Sequence, residues 1–172
     1  MQNHFELFGL AQAFALDTDA LERGYRDMQA RVHPDRHAHS ADADRRAAMQ
    51  WATRVNEAYR TLRNPVSRAR YLLELRGVDV ALESNTAMPA EFLMRQMELR
   101  EALEEAKAAR DAAALERLGA DLGGERRTLV AALADAFDAR HDDALAAQLV
   151  RKLTFLDRVD AELREAFEAI EA

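Results

Sequence analysis

Three prolines punctuate 172 residues, and each stands where an amphipathic helical pattern begins or ends. The residue before a proline is driven out of the helical region, so a helix running toward Pro34 must stop at about Val32. Pro65 and Pro89 stand where proline is best tolerated, at the start of a helix, because the N–H it lacks would have had no partner there. Only six glycines accompany them in a chain that is 49% apolar and 32% charged. That balance predicts an ordered, all-α protein of one domain or two small ones.

The front of the chain reads as four helical pieces. The first is short, contains Phe5, Leu7 and Phe8, and ends near Gly9. The second starts at Asp17, a good N-cap, and runs to about Arg31. Leu21, Tyr25, Met28 and Val32 form its apolar stripe, with Arg23, Arg26 and Ala30 on the opposite side. The third runs from about Asp42 to Arg63 and carries Ala48, Trp51, Ala52, Val55, Tyr59 and Leu62 on one face, so Trp51, Tyr59 and Leu62 are expected in the core. The second and third pieces make an antiparallel helical hairpin. The fourth begins near Pro65 and ends before Gly77, with Tyr71 and Leu72 packing it in place.

Residues 77–88 read as a connector whose Val78, Val80 and Leu82 favour packing over free movement. Three further helices follow, from Pro89 to about Ala109, from Asp111 to about Arg140 and from Asp143 to Ile170. Their short connections predict an antiparallel three-helix bundle. Gly119, Gly123 and Gly124 weaken the middle helix, each by about 1 kcal/mol relative to alanine, so a kink or break is expected near Gly123.

Net charge is −7, but it is uneven. Residues 1–76 hold 12 basic and 10 acidic side chains; residues 77–172 hold 12 and 21. This asymmetry suggests two modules with different partners, and the overall acidity argues against nucleic acid as the main ligand. Cysteine is absent, which excludes disulfides, thiol catalysis and thiolate-held zinc or iron–sulfur clusters within the chain. No apolar run reaches a membrane span and no secretory signal is visible at the N-terminus, so a cytoplasmic protein is expected.

The helical hairpin turns through His33-Pro34-Asp35. Proline stiffens the loop, and an imidazole and a carboxylate flank it. No phosphate-binding glycine loop accompanies it, nor a nucleophile beside a base, so docking rather than catalysis is the expected use; the plainer alternative is a capped turn. Arg23, Arg26, Arg31 and Arg36 surround the loop and would steer it toward an acidic surface, although Asp19, Glu22 and Asp27 dilute the field. His33, His37 and His39 have a spacing that admits a metal, but Pro34 breaks the helix that would align them, so no metal or other cofactor is expected.

The helix from Pro89 carries two apolar faces. Phe92, Leu99, Leu103 and Ala106 form one stripe, and Leu93, Met94 and Met97 lie about 100–200° around from Phe92. A surface helix needs a single stripe, so the second face points to another partner, here or elsewhere in the chain. Methionine suits adaptable binding surfaces, and Glu98, Arg100 and Glu101 give the patch a charged rim. In the last helix Phe155 lies about 80–120° off the stripe of Leu156, Leu163 and Phe167, which makes it a candidate surface aromatic.

The order of these features resembles a J-domain over residues 3–73: a short helix, a basic-faced helix, His-Pro-Asp, then Asn56-Glu57-Ala58-Tyr59-Arg60-Thr61-Leu62. Three further stretches resemble the HscB family, the J-type co-chaperones of iron–sulfur cluster assembly. They are Asn64-Pro65-Val66-Ser67-Arg68-Ala69-Arg70-Tyr71-Leu72-Leu73, the run from Phe92-Leu93-Met94 through Glu98-Leu99-Arg100-Glu101, and Arg151-Lys152-Leu153-Thr154-Phe155-Leu156-Asp157. Without a cysteine-rich extension the chain is similar to the bacterial form. The resemblance implies a J-domain over residues 1–76, a connector over 77–88 and a bundle over 89–172. It implies that His33, Pro34 and Asp35, with the arginines, engage a DnaK-class chaperone of the HscA type and stimulate its ATPase. It also implies that Leu93, Met94, Met97, Glu98, Glu101 and Phe155 hold a scaffold of the IscU type. The protein itself would then be no enzyme. The other readings are a J-domain protein with a different client, a helical metal-dependent enzyme using the three histidines, and a purely structural helical protein.

Overall fold

The computed structural model describes residues 2–32, 42–80 and 88–171. They form seven α-helices and no strand: α1 (His4–Leu7), α2 (Thr18–Val32), α3 (Asp42–Arg63), α4 (Pro65–Leu75), α5 (Ala90–Ala109), α6 (Ala112–Ala134) and α7 (Asp143–Glu171). The chain divides into two compact units, Met1–Leu75 and Arg76–Ala172.

In the first unit, side-chain caps set the helix starts. Asn3 Oδ1 accepts from the Glu6 N–H at 2.9 Å while Glu6 Oε2 accepts from the Asn3 N–H, a reciprocal pair that fixes α1. Asp17 Oδ1 accepts from the Ala20 N–H at 3.0 Å and starts α2. Asn64 Oδ1 accepts from the N–H groups of Val66 and Ser67, so α4 starts one residue after α3 ends. Phe5, Phe14, Leu21, Val55, Ala58, Leu62, Ala69, Leu72 and Leu73 fill the core. Within α2, a Cβ on Gly24 would lie 3.1 Å from Phe8 Cβ, so the absence of a side chain there admits Phe8, the C-cap of α1. Arg68 is buried in this core, donates to the Leu62 carbonyl at 2.8 Å and lies over the Phe14 ring.

Trp51 departs from its expected place. It is 40% exposed, with the Arg54 guanidinium 5.3 Å from its ring centroid. From Asp42 to Arg54 only Ala48 is buried, so the apolar period of α3 continues past the part of the helix that packs closely on other described residues.

His4 joins α1 to α4. Its ring stacks on Tyr71 with centroids 4.2 Å apart, its N–H donates to Tyr71 Oη, and its Nδ1 is buried without a hydrogen bond. Burial is the largest influence on this imidazole and lowers its pKa, opposed by Glu57 and Glu74 and assisted by Arg54. The unfolded chain therefore binds the proton more readily, so this contribution to stability is complete above the ordinary value of 6.5 and is lost as pH falls from there through the lower folded-state value. Denaturation midpoints are expected to drop on acidification through that window, and His4→Phe, which keeps the stack, is expected to flatten the dependence.

In the second unit α5, α6 and α7 form a three-helix bundle. Arg110, in left-handed conformation at the α5 C-terminus, ends that helix. Its guanidinium donates to the carbonyls of Ala169 and Ile170 at 3.2 Å, bringing the C-terminal ends of α5 and α7 together, with α6 running the other way. Phe92, Leu99 and Leu103 of α5 meet Leu115, Leu118 and Leu122 of α6 and Leu156, Val159 and Leu163 of α7. At the other end of α6, Arg76 pairs with Asp143 and lies over the Phe137 ring, and Arg151 donates to the Val80 carbonyl at 2.9 Å. Of the segment read as a connector, residues 81–87 lie outside the described residues, while Val80 and Met88 at its edges are buried.

The break expected near Gly123 does not occur. α6 is continuous from Ala112 to Ala134. Leu115, Leu118 and Leu122 bury it against α5 and α7, ion pairs from Arg95 to Glu125 and from Arg126 to Asp157 follow directly after the glycines, and such tertiary contacts override weak intrinsic propensity. A Cβ on Gly119 would lie at an ordinary contact distance, 3.5 Å, from Leu163 Cδ2, so α6 packs on α7 there without needing the glycine. The irregularity falls further on, in a π-helical turn at Asp135–Ala139 that buries both Ala136 and Phe137.

Candidate functional site

Two surfaces carry the residues singled out in the sequence. At the first, His33, Pro34, Asp35 and Arg36 lie outside the described residues, as do His37 and His39. The helices leading into and out of that loop are described. Arg23, Arg26 and Arg31 are all exposed on α2. Arg23 stands 4.0 Å from Asp17, and both are solvated, so the pair adds little stability and leaves the cation available to a partner.

Stacked tyrosines hold α2 against α3. The rings of Tyr25 and Tyr59 lie 4.0 Å apart at 16°. Tyr25 Oη donates to Asn56 Oδ1 at 2.9 Å, and Gln29 Nε2 donates to both oxygens. Tyr59 Oη donates to Glu22 Oε1 at 2.6 Å, a bond that raises the phenol's pKa. The same bond turns one of the diluting acids of α2 toward α3. Arg63, the last residue of α3, lies over the Tyr59 ring and lines a groove of about 680 Å³ together with Thr18, Glu22, Arg23 and Arg26. Arg63 was not among the basic residues picked out in the sequence, although it lines the same groove. The signal was the antiparallel hairpin itself, which returns the end of α3 to the start of α2.

At the second surface, α5 turns Phe92 into the core and leaves Met94 60% and Met97 72% exposed, while Leu93 is half-buried against the core. Glu98 and Glu101 are exposed beside them. Arg95 reaches Glu98 and Glu125, each at 3.4 Å, tying the rim of the patch to α6.

Phe155 is not the surface aromatic that its angular position suggests. It is 8% exposed and meets Phe92 edge-on, with ring centroids 5.7 Å apart. α7 packs against both α5 and α6, so its buried face is wider than one stripe, and a residue about 100° off that stripe points into the cleft toward α5. Lys152 Nζ, 5.4 Å from the Phe92 ring centroid, and Arg100, 6.0 Å from that of Phe155, cover the two rings. Phe155→Ala is expected to lower the stability of this unit by about 3 kcal/mol or more. Met97→Ala is expected to change it by less than about 0.5 kcal/mol; denaturant titrations of both variants check this.

Among the described residues no group of three or more histidines and carboxylates is placed to hold a metal. No described helix is long and apolar enough to cross a membrane.

Comparison with known proteins agrees in the same chain order. The DnaJ domain family matches residues 3–71, and the family described as the HSCB C-terminal oligomerisation domain matches residues 88–164. The chain is 54% identical over 168 residues to the co-chaperone protein HscB homolog of Ralstonia nicotianae, covering 98% of this chain and 96% of that one. It is 51% identical to the HscB homolog of an Azoarcus species, over 99% and 96%. Among solved structures, the chaperone HscB from Vibrio cholerae has a TM-score of 0.85 at 38% identity, covering 98% of this chain and 99% of the other. The human co-chaperone HscB has a TM-score of 0.90 at 26% identity, covering 96% and 82%. With a J-domain in front, the matching bundle behind and relatives at half identity over nearly the whole length, the chain belongs to the HscB family of co-chaperones.

Proposed function

We propose that this protein is an adaptor with two docking surfaces, and that it serves iron–sulfur cluster assembly in the bacterial cytoplasm. The J-domain, residues 1–76, engages a DnaK-class chaperone of the HscA type through His33, Pro34 and Asp35. Arg23, Arg26, Arg31 and Arg36 steer the approach, and Arg63 extends the basic face. Beyond the connector, residues 77–88, the bundle of residues 89–172 holds a scaffold of the IscU type on Leu93, Met94, Met97, Glu98 and Glu101. Phe155 supports that face from beneath by bracing Phe92. The chemistry of ATP belongs to the chaperone, and any cluster belongs to the scaffold.

The observation that carries the reading is the Met94–Met97 face: two large apolar side chains, more than half exposed, on a helix whose other face already fills a core. The experiment is chaperone ATP hydrolysis measured with this protein alone, with the scaffold alone and with both. Stimulation by both together that exceeds the sum of the separate effects supports the adaptor; simple additivity rejects it. Another copy of the chain is the second possible occupant of the bundle surface, since the matching C-terminal family is described by oligomerisation. Sedimentation at the concentrations used for scaffold binding separates the two.

A further inference from the structure

With no cysteine in the chain, thioethers are its only oxidisable sulfur. Of six methionines, Met1 lies outside the described residues, Met28 is half-buried and Met88 is buried. Met49, Met94 and Met97 are the large exposed thioethers, and two of the three stand one helical turn apart on the α5 face. We propose that Met94 and Met97 are a reversible oxidation site through which a peroxide blocks scaffold binding. The proposal rests on the docking reading given above.

The step balances without any group from the protein beyond the sulfur. A thioether lone pair attacks one peroxide oxygen, the O–O bond breaks and an S–O bond forms. Sulfur loses two electrons, and the other oxygen leaves as water after proton transfer. The product is a polar, chiral sulfoxide in place of a flexible apolar chain, and sulfoxide reductases reverse it. Docking would bury that oxygen. Glu98 and Glu101, one turn beyond Met94 and Met97, are acceptors when ionised and offer it no hydrogen bond. Arg95 is held by Glu98 and Glu125. An apolar centre thus gains a polar oxygen, and its desolvation on docking weakens the contact. Met49, equally open on α3 of the first unit, provides an internal control outside the proposed scaffold surface.

The test treats the full-length protein with hydrogen peroxide, locates the added oxygen by peptide mass spectrometry and measures affinity for an IscU-type scaffold by calorimetry. Oxidised protein is expected to bind about tenfold or more weakly, with recovery after treatment by methionine sulfoxide reductases. The M94L/M97L variant is expected to show one affinity before and after peroxide, and Met49→Leu to keep the full loss. Unchanged affinity with both sulfoxides present overturns the proposal. So does an equal loss in M94L/M97L, or resistance of Met94 and Met97 to a dose that oxidises Met49. If the untreated protein does not bind the scaffold, the docking reading fails first and this proposal falls with it.

Discussion

The His33→Gln protein is expected to lose its stimulation of the chaperone ATPase while keeping its helical content. Glutamine keeps a polar side chain of similar reach but removes the ring. Among the described residues, the core of the first unit is built from α1, α2, α3 and α4 around Phe5, Leu21, Val55, Leu62 and Leu72, and helical content measured on the same sample shows whether it survives. A loss with helical content kept reports recognition rather than folding. Contacts of this kind, concentrated in a few residues of an interface, cost about 2 kcal/mol or more each, which is roughly thirtyfold in the concentration needed for half-stimulation. Steady-state hydrolysis across a range of adaptor concentrations, beside circular dichroism of the same samples, separates the outcomes. Undiminished stimulation by the variant rejects a docking role for the loop. The cations of α2 act differently: their contribution falls with salt and lies mainly in the association rate.

The second large effect is expected from combining Leu93→Ala with Met97→Ala. Each removes apolar area from the centre of the proposed scaffold surface, worth about 1.5 kcal/mol or more per side chain when fully buried by a partner. Together they are expected to weaken scaffold binding by about a hundredfold. Met97 is exposed in the free protein, so its truncation leaves the bundle intact. Leu93 is half-buried, so its loss also costs some bundle stability, and the thermal midpoint must be read on the same sample. Calorimetric titration with the scaffold checks the prediction. Unaltered affinity rejects the patch, and intact ATPase stimulation in the absence of scaffold shows that the J-domain is untouched.

Helix ends were the most legible part of this fold. Pro65 and Pro89, with the caps Asp17 and Asp111, mark starts that the structure reproduces to within a residue. Faces were legible only where a partner helix exists to use them. Leu93, Met94 and Met97 lie off the main stripe of α5, as Phe155 lies off that of α7. The angular signal is the same, yet Met94 and Met97 meet solvent while Phe155 meets Phe92. The difference arises from how many neighbours each helix has on each side, a property of the assembled bundle that local periodicity does not contain. Trp51 shows the converse: its period is right for the core, but it lies on the part of α3 where little else packs. The glycines of α6 misled for a third reason. Their propensity cost is local, whereas the burial of Leu115, Leu118 and Leu122 against α5 and α7 that offsets it depends on residues distant in the sequence.

The π turn at Asp135–Ala139 has an evolutionary consequence. It accommodates one residue more than an α-helical path over the same rise. It lies after the last α-helical residue of α6 and just before the turn through Arg140, His141 and Asp142 into α7. A single-residue deletion there is expected to return the segment to ordinary α-helix at the cost of re-seating Ala136 and Phe137, which the π turn buries. The extra residue is thus held in place by the packing at this end of α6, far along the chain from the Met94–Met97 face on α5.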